Sequence, residues 1–504
     1  MSEIHFVDTT LRDGQQSLWA LGMRTGAMLS IAEQMDRAGF ESMEFFVSIM
    51  IKKYVREHKE NPWVWLREGT KRFRRTRLRL HGGMHGSGAF EKLPSAVMKL
   101  LIERAVSYGL TLTRTSTCWN DFQTFKKELQ DLREIGMETI MNLIYSVSPR
   151  HTDDYYAEKA REAAAIRPYR ICFKDVGGLL TPERTRTLIP IILQNAGDVP
   201  VEFHAHCNNG LAPLCCLEAV KLGIKTLHTA IPPLANGSSQ PSILNVAKNL
   251  RALGYAPVIN EEEVKPVEEH FTVVAKRDGL PVGKPLEYDY SQYLHQVPGG
   301  MISNLRHQLR LVGIEDKLEA TLEEAARVRA EFGYPIMVTP LSQFVASQAA
   351  INVIVGERYK EVTDQIIQYA LGLWGKEAPA LIDPDVKDRI LGRRRAREWE
   401  GWEPPDLSLK EVRSRFGGPS VSDEELLLRV YAGEEAVKAM YAADSPREYL
   451  SANHPLVRLI EELSKKKDCN QISIRKGGLS LTLGKRTASE KPNSYHSFHF
   501  SRKS

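Results

Sequence analysis

A (β/α)8 barrel followed by a mainly helical region is the fold this chain predicts, and three observations carry it. Between Ile4 and about Ala256, eight short apolar segments alternate with helical ones. Several of these segments run into polar, Gly-bearing turns, which is how the strand ends of a parallel barrel deliver functional groups. After about Glu261 the strand signal stops and helical periodicity takes over.

The strand candidates, in order, are IHFVD (4–8), SMEFF (42–46), LRLHGG (78–83), LTLTRTST (110–117), ETIMNLIYS (138–146), YRICFKD (169–175), PVEFHAH (200–206) and TLHTAI (226–231). Helices between them carry apolar residues at i, i+3 and i+4, as in 29–39 and 157–166. The spacing then predicts helices over 261–279, 305–314, 320–333, 342–356 and 362–375. Arg393–Asp406, rich in charge and proline, reads as an exposed connector, and 424–441 as further helix. Pro455–Lys485 predicts a helix and two short strands about a Lys-Gly-Gly turn. The expected organisation is thus a barrel core (1–260), a helical funnel-like domain (261–392), a connector with helices (393–445), a helix-plus-hairpin extension (446–485) and a disordered tail (486–504).

Composition narrows the class. A chain of 504 residues is long for one domain, and its 42% hydrophobic content supports a large core. A net charge of +5 does not mark a nucleic-acid protein. The six cysteines (Cys118, Cys172, Cys207, Cys215, Cys216 and Cys469) show no CxxC spacing and read as reduced thiols of a cytoplasmic protein. Neither a signal peptide nor a membrane span is expected.

The chemistry concentrates in three strand ends: Phe6–Gln16, Phe173–Leu180 and Phe203–Gly210. They supply Asp13, Lys174, His204 and His206. The two histidines sit two apart, so on a strand their rings share a face. One carboxylate and two imidazoles suit a divalent metal ion. A separate feature is the basic run Lys71–Leu80, six cations in ten residues. It reads either as a solvated helix end entering an edge strand or as an anion site.

With further motifs added, residues from roughly Ile4 to Tyr441 resemble the carboxyltransferase component of biotin-dependent carboxylases. That group includes the carboxyltransferase domain of pyruvate carboxylase, the oxaloacetate decarboxylase alpha subunit and the transcarboxylase 5S subunit. The motifs are Asp8–Thr25 (DTTLRDGQQSLWALGMRT), 60–68 (ENPWVWLRE), the lysine and histidine segments, Ser238–Ser242 (SSQPS) and Val297–Leu305 (VPGGMISNL). DTTLRDG alone is shared with lyases and synthases of the same barrel superfamily. The lysine segment with the PGG loop is more specific.

The resemblance implies roles residue by residue. Asp13, His204 and His206 become metal ligands, the metal being Zn or Mn, or else Mg or Co. An ammonium has no lone pair to offer a cation; the resemblance implies that Lys174 is N6-carboxylysine, whose carbamate oxygens ligate. Arg12 and Gln16 would hold the acceptor's oxygen, and Ser303 would relay a proton to and from biotin. Ser239 and Gln240 would contact the cofactor, while Asp8 would be structural. The competing readings are a strand-end N-cap for Asp13, core histidines for His204 and His206, a Lys174–Asp175 ion pair, a turn residue for Gln16 and a helix N-cap for Ser303.

The chain carries neither a biotin-attachment sequence nor an ATP-grasp unit, so the implied partners are a biotinylated carrier protein and a biotin carboxylase on other chains. The extension resembles the segment preceding the carrier in bacterial acetyl-CoA carboxylase carrier proteins and reads as a docking element. Family members are usually homodimers. Three positions depart from the pattern: His81 stands where the family has an arginine that grips a 2-oxo-acid carboxylate, Thr117 where it has an aspartate, and FFVSIMIKKY follows Glu44 in place of a Trp-Gly-Gly loop. Losing a buried carboxylate clamp costs about 2–5 kcal/mol, so the expected acceptor is enolisable but not plain pyruvate. Two alternatives remain: a metal-dependent aldol- or Claisen-type lyase or synthase, and a non-catalytic scaffold subunit.

Overall fold

The computed structural model describes residues 1–83, 93–311, 313–403 and 405–443, together with Tyr449, Glu462 and two strands at 471–476 and 479–484; at 300, 303, 304, 307 and 308 it describes the backbone only. Chain contacts divide it into two units, 1–447 and 448–504.

All eight expected strands form, as β1 (Glu3–Asp8), β2 (Ser42–Val47), β3 (Arg77–His81), β4 (Leu112–Thr115), β5 (Glu138–Ile144), β6 (Arg170–Asp175), β7 (Val201–Ala205) and β8 (Thr226–Thr229). They are parallel and adjacent in sequence order, and β1 pairs with both β8 and β2, which closes the barrel. A ninth, two-residue strand, β9 (Ala256–Pro257), adds to the outer edge of β1. Every residue of β2, β4 and β7 is buried, as a parallel sheet covered by helices requires. Successive side chains along each strand therefore point alternately to the helices and to the barrel interior.

Helices run through the second half at Glu261–Asp278, Gly299–Leu311, Leu318–Glu331, Leu341–Val355 and Asp364–Ala370. They build a core of their own from residues such as Leu322, Val328, Phe332, Phe344, Val345 and Ile367. Trp119, from the loop after β4, inserts into that core and stacks on Tyr369 with centroids 6.2 Å apart. Arg329 ties the same seam by donating to Ser146 Oγ (2.9 Å) and the Val147 carbonyl (3.1 Å). Helices Asp423–Ala432 and Glu434–Tyr441, broken at Gly433 (φ +85°), pack back on the barrel. Trp63 Nε1 donates to the Glu424 carbonyl (3.1 Å) and Arg56 Nε to that of Ala432 (2.9 Å).

Two expectations change. The basic run does not enter an edge strand, because β3 lies between β2 and β4. Asp36 accepts from the backbone N–H groups of Arg74, Arg75 and Thr76 (3.0, 3.0 and 2.9 Å), and Arg79 points into the barrel. The connector is also partly structured: Arg394–Glu398 forms a tight helical turn, Ala396 is buried, and Trp399 donates to Asp364 (3.2 Å). In the second unit, β10 (Gln471–Lys476) and β11 (Leu479–Gly484) form the expected antiparallel hairpin. The helix expected before it and the tail lie outside the described residues.

A candidate metal centre at the barrel mouth

The site begins where β1 ends. Asp8 accepts from Thr10 N (3.1 Å) and Thr10 Oγ1 (2.6 Å), which bends the chain into a wide turn at Thr10–Gly14. A Cβ at Gly14 would lie 3.2 Å from the Leu234 carbonyl and 3.3 Å from Ser239 Oγ, so glycine permits the close packing. Arg12 and Asp13 project from this turn and are buried. Arg12 Nη2 lies 2.9 Å from Asp13 Oδ2 and 2.5 Å from Glu44 Oε2, while its Nη1 reaches Gln16 Oε1 at 3.4 Å. Burial alone would raise the Asp13 carboxyl. Arg12, His206, Lys174 and Arg114 outweigh burial and hold it well below the carboxylate range.

Across the mouth, β6 and β7 pair with Lys174 directly opposite His204. His204 Nε2 lies 3.4 Å and His206 Nε2 3.7 Å from Asp13 Oδ2. Potential ligand atoms of Asp13, His204 and His206 all fall within 4.8 Å of one another. Burial lowers both rings' pKa values, so they are neutral imidazoles. His206 Nδ1 faces the Ser238 carbonyl at 2.7 Å, which can only accept, so its lone pair is at Nε2. Gln240 Nε2, 3.1 Å from that atom and 3.4 Å from His204 Nε2, donates toward both. Both Nε2 atoms thus act as acceptors, and both lie within 3.7 Å of Asp13 Oδ2. This donor set fits a divalent cation.

Burial lowers the Lys174 amine to about 8, with Arg114 adding to the effect. The alternative Lys174–Asp175 ion pair does not form, because adjacent strand residues point to opposite faces. Asp175 instead accepts from Leu179 N (3.0 Å) and Leu180 N (2.8 Å), shaping the turn after β6. Ser239 and Gln240 are fully buried, and Gln240 Oε1 lies 2.7 Å from Thr9 Oγ1. Ser303 falls in helix Gly299–Leu311, but its side chain lies outside the described residues. His81 closes β3 in register with Arg114; its Nδ1 is buried without a hydrogen-bond partner, and burial with Arg12 and Arg114 keeps its pKa far down. Thr117 Oγ1 accepts from Asp121 N (2.7 Å) and shapes a turn.

Below the mouth lies a buried charged layer that the sequence reading did not assign. Arg79 grips Glu202 with two bonds (2.6 and 2.9 Å) and donates to Ser42 Oγ (2.7 Å). Arg114 pairs with Glu44, and His228 lies 2.8 Å from Glu202 Oε1 and 3.0 Å from His204 Nδ1. The signal for it was present: Glu44, Arg79, Arg114 and Glu202 are charges inside otherwise apolar strands, where burial demands partners.

Comparison with known proteins agrees with this architecture. The family described as the conserved carboxylase domain matches residues 293–467. A pyruvate carboxylase subunit of Methanocaldococcus jannaschii is 34% identical over 391 residues, covering 77% of this chain and 68% of that one. The 2-oxoglutarate carboxylase large subunit of Hydrogenobacter thermophilus is 32% identical, covering 85% and 67%. The methylmalonyl-CoA carboxyltransferase 5S subunit of Propionibacterium freudenreichii is 28% identical, covering 76% of each. In structure, the carboxyl transferase domain of Rhizobium etli pyruvate carboxylase superimposes with a TM-score of 0.78 over 88% of this chain and 77% of that one, at 22% identity, which shows a shared fold. With its closed barrel, its strand-end carboxylate, lysine and imidazoles, and relatives at this level of identity, the chain belongs to the carboxyltransferase family of the biotin-dependent carboxylases.

Proposed function

We propose that this chain moves the carboxyl group of carboxybiotin, presented on a separate biotinylated carrier protein, to an enolisable small-molecule acceptor at the barrel mouth. The observation that carries the reading is the convergence of Asp13, His204 and His206 beside the buried Lys174. A divalent ion held there (Zn or Mn, with Mg or Co as alternatives) would supply Lewis-acid polarisation of the acceptor's carbonyl oxygen. Lys174, as N6-carboxylysine, would complete the ligand set with a carbamate oxygen. Arg12 and Gln16 orient the acceptor oxygen, and a guanidinium so placed stabilises an enolate. Ser303 carries the proton between the acceptor carbon and the biotin ureido nitrogen, since a hydroxyl both donates and accepts. Ser239 and Gln240 are the residues assigned to contact the biotin cofactor, and Gln240 also donates toward both imidazoles.

The acceptor follows from position 81. A neutral imidazole there offers one hydrogen bond where a guanidinium would clamp a carboxylate with two. Plain pyruvate, whose carboxylate is its main handle, is therefore a poor acceptor. Relatives carry the names of pyruvate, 2-oxoglutarate and methylmalonyl-CoA, so membership of the family does not by itself select one substrate. The biotin carboxylase is a further partner, two copies of the chain pair through the barrel in the cytoplasm, and 446–485 serves as a docking element.

The test is metal analysis of the purified chain, followed by transfer from free carboxybiotin to pyruvate, larger 2-oxo acids and acyl thioesters. We expect bound divalent metal, slow transfer to pyruvate, and a gain with pyruvate of about 10-fold or more in His81→Arg. Fast transfer to pyruvate by the unmodified protein would overturn the acceptor assignment. Absence of metal together with no transfer to any acceptor would overturn the carboxyltransferase reading.

A further inference from the structure

We propose that Glu202 and His228 form a buried, directionally ordered hydrogen-bond chain that fixes His204 in the tautomer whose Nε2, the atom beside Asp13, is free to ligate a metal. They are positioning residues, and the proposal rests on the reading of Asp13, His204 and His206 as metal ligands. The direction can be assigned from either end, and the two assignments agree.

From the lower end, Glu202 is held as a carboxylate by the two-pronged Arg79 guanidinium, so it can only accept. His228 Nε2, 2.8 Å from Glu202 Oε1, must therefore carry a hydrogen. With the hydrogen of His228 on Nε2, its Nδ1 is the acceptor of the 3.0 Å contact to His204 Nδ1, and His204 Nδ1 is the donor. His204 Nε2 is left with its lone pair toward Asp13.

The upper end gives the same answer without Glu202. The Ser238 carbonyl makes His206 an Nδ1–H tautomer, so His206 Nε2 accepts from Gln240. The same amide nitrogen faces His204 Nε2 at 3.4 Å, which makes that atom an acceptor as well. An outer partner of this kind also raises the basicity of the ligating nitrogen, since a carboxylate acts on it through the intervening ring.

The chain is not a second cation site, although Cys172, Glu202 and His228 bring donor atoms together, as do Glu44, His204 and His228. Both Glu202 oxygens accept from Arg79, and Glu44 is engaged by Arg12 and Arg114. A cation there would meet three guanidinium groups. The arginines instead keep the two carboxylates ionised and still.

The experiment uses the full chain, stripped of metal and titrated with Zn2+ or Mn2+ against a competing chelator, with thermal melts to verify folding. We expect His228→Leu to bind about 10–100-fold more weakly. His228→Gln, whose amide can accept from His204 and donate to Glu202, should recover most of the affinity. A merely structural role would not show that rescue. Ring 15N shifts of His204 in the metal-free protein, assigned by its loss in His204→Gln, should report hydrogen on Nδ1. Unchanged affinity in a folded His228→Leu protein, or His204 protonated on Nε2, would overturn the proposal. Should His228→Leu not fold, the 15N measurement and the His228→Gln titration decide it alone, loss of affinity in the latter counting against it. If the unmodified chain binds neither ion, or if His206→Ala binds as well as it does, the metal assignment itself falls. The 15N shifts then still test the tautomer separately.

Discussion

At the scale of single residues, the unusual property of this barrel is ionic rather than apolar. Arg79, Arg114, Glu44 and Glu202 are each almost wholly removed from water. An isolated charge there would be prohibitive, so each is held by a partner. Removing one partner should therefore cost more than removing both. Arg79→Leu leaves the Glu202 carboxylate without its fork, and a loss of about 3–5 kcal/mol is expected in urea denaturation. Arg79→Leu combined with Glu202→Leu should lose clearly less. A double variant as unstable as the single one would show that the pair does not act as a unit. The same logic explains what was legible. His204 and His206 stood out because a two-residue spacing on a strand states its own geometry. Arg79 was absorbed into a run of surface cations, since nothing local separates a guanidinium aimed inward from one aimed at water.

At the scale of elements, periodicity located all eight strands, with boundaries displaced by one or two residues. Strand ends depend on pairing partners, which are remote in sequence. The helix expected over 29–39 breaks instead into Thr25–Leu29 and Ala32–Arg37. Asp36, in the second piece, reaches across to three backbone N–H groups ahead of β3. That carboxylate anchors the basic run, which repels itself. Asp36→Ala should lower stability by about 2 kcal/mol, with Thr76 the most affected because it is buried. Accelerated hydrogen exchange at residues 74–76 would confirm the cause, and unchanged exchange there would refute it. Trp119 makes a comparable link between barrel and helical core. Trp119→Ala should cost about 3–5 kcal/mol by the cavity it leaves against Tyr369. A loss below about 1 kcal/mol on the same denaturation curve would mean that the two cores stand independently.

For the molecule as a whole, pH sensitivity follows from three buried histidines outside the proposed ligand set. Burial lowers His151 to about 3, and His270 and His295 to about 4, against an ordinary value of 6.5. Below pH 6.5 the unfolded chain gains protons that the folded one refuses. Stability is therefore fully present above 6.5 and falls as the solution is acidified toward 4. Each group contributes a slope of about 1.4 kcal/mol per pH unit in that window. Urea midpoints at pH 7.5 and 5.5 should differ accordingly, and His270→Gln should reduce the slope by one proton. A flat profile between these values would sink the argument. Among the described residues, no helix is long and apolar enough to cross a membrane.

The sequence by itself determined the barrel, the helical second region, the hairpin and the strand-end residues Asp13, Lys174, His204 and His206. Those features are written in local spacing: period two for strands, 3.6 for helices, and glycine-bearing turns at strand ends. Only the tertiary structure decided which faces met. Closure of β1 on β8 brings Asp13 against His204 and His206, residues some 190 positions later in the chain. The same closure stacks Arg79, Glu202 and His228, from three separate strands, into one connected layer beneath them. Such a layer has no sequence period, because its members are joined by electrostatics across the barrel rather than by neighbourhood along the chain.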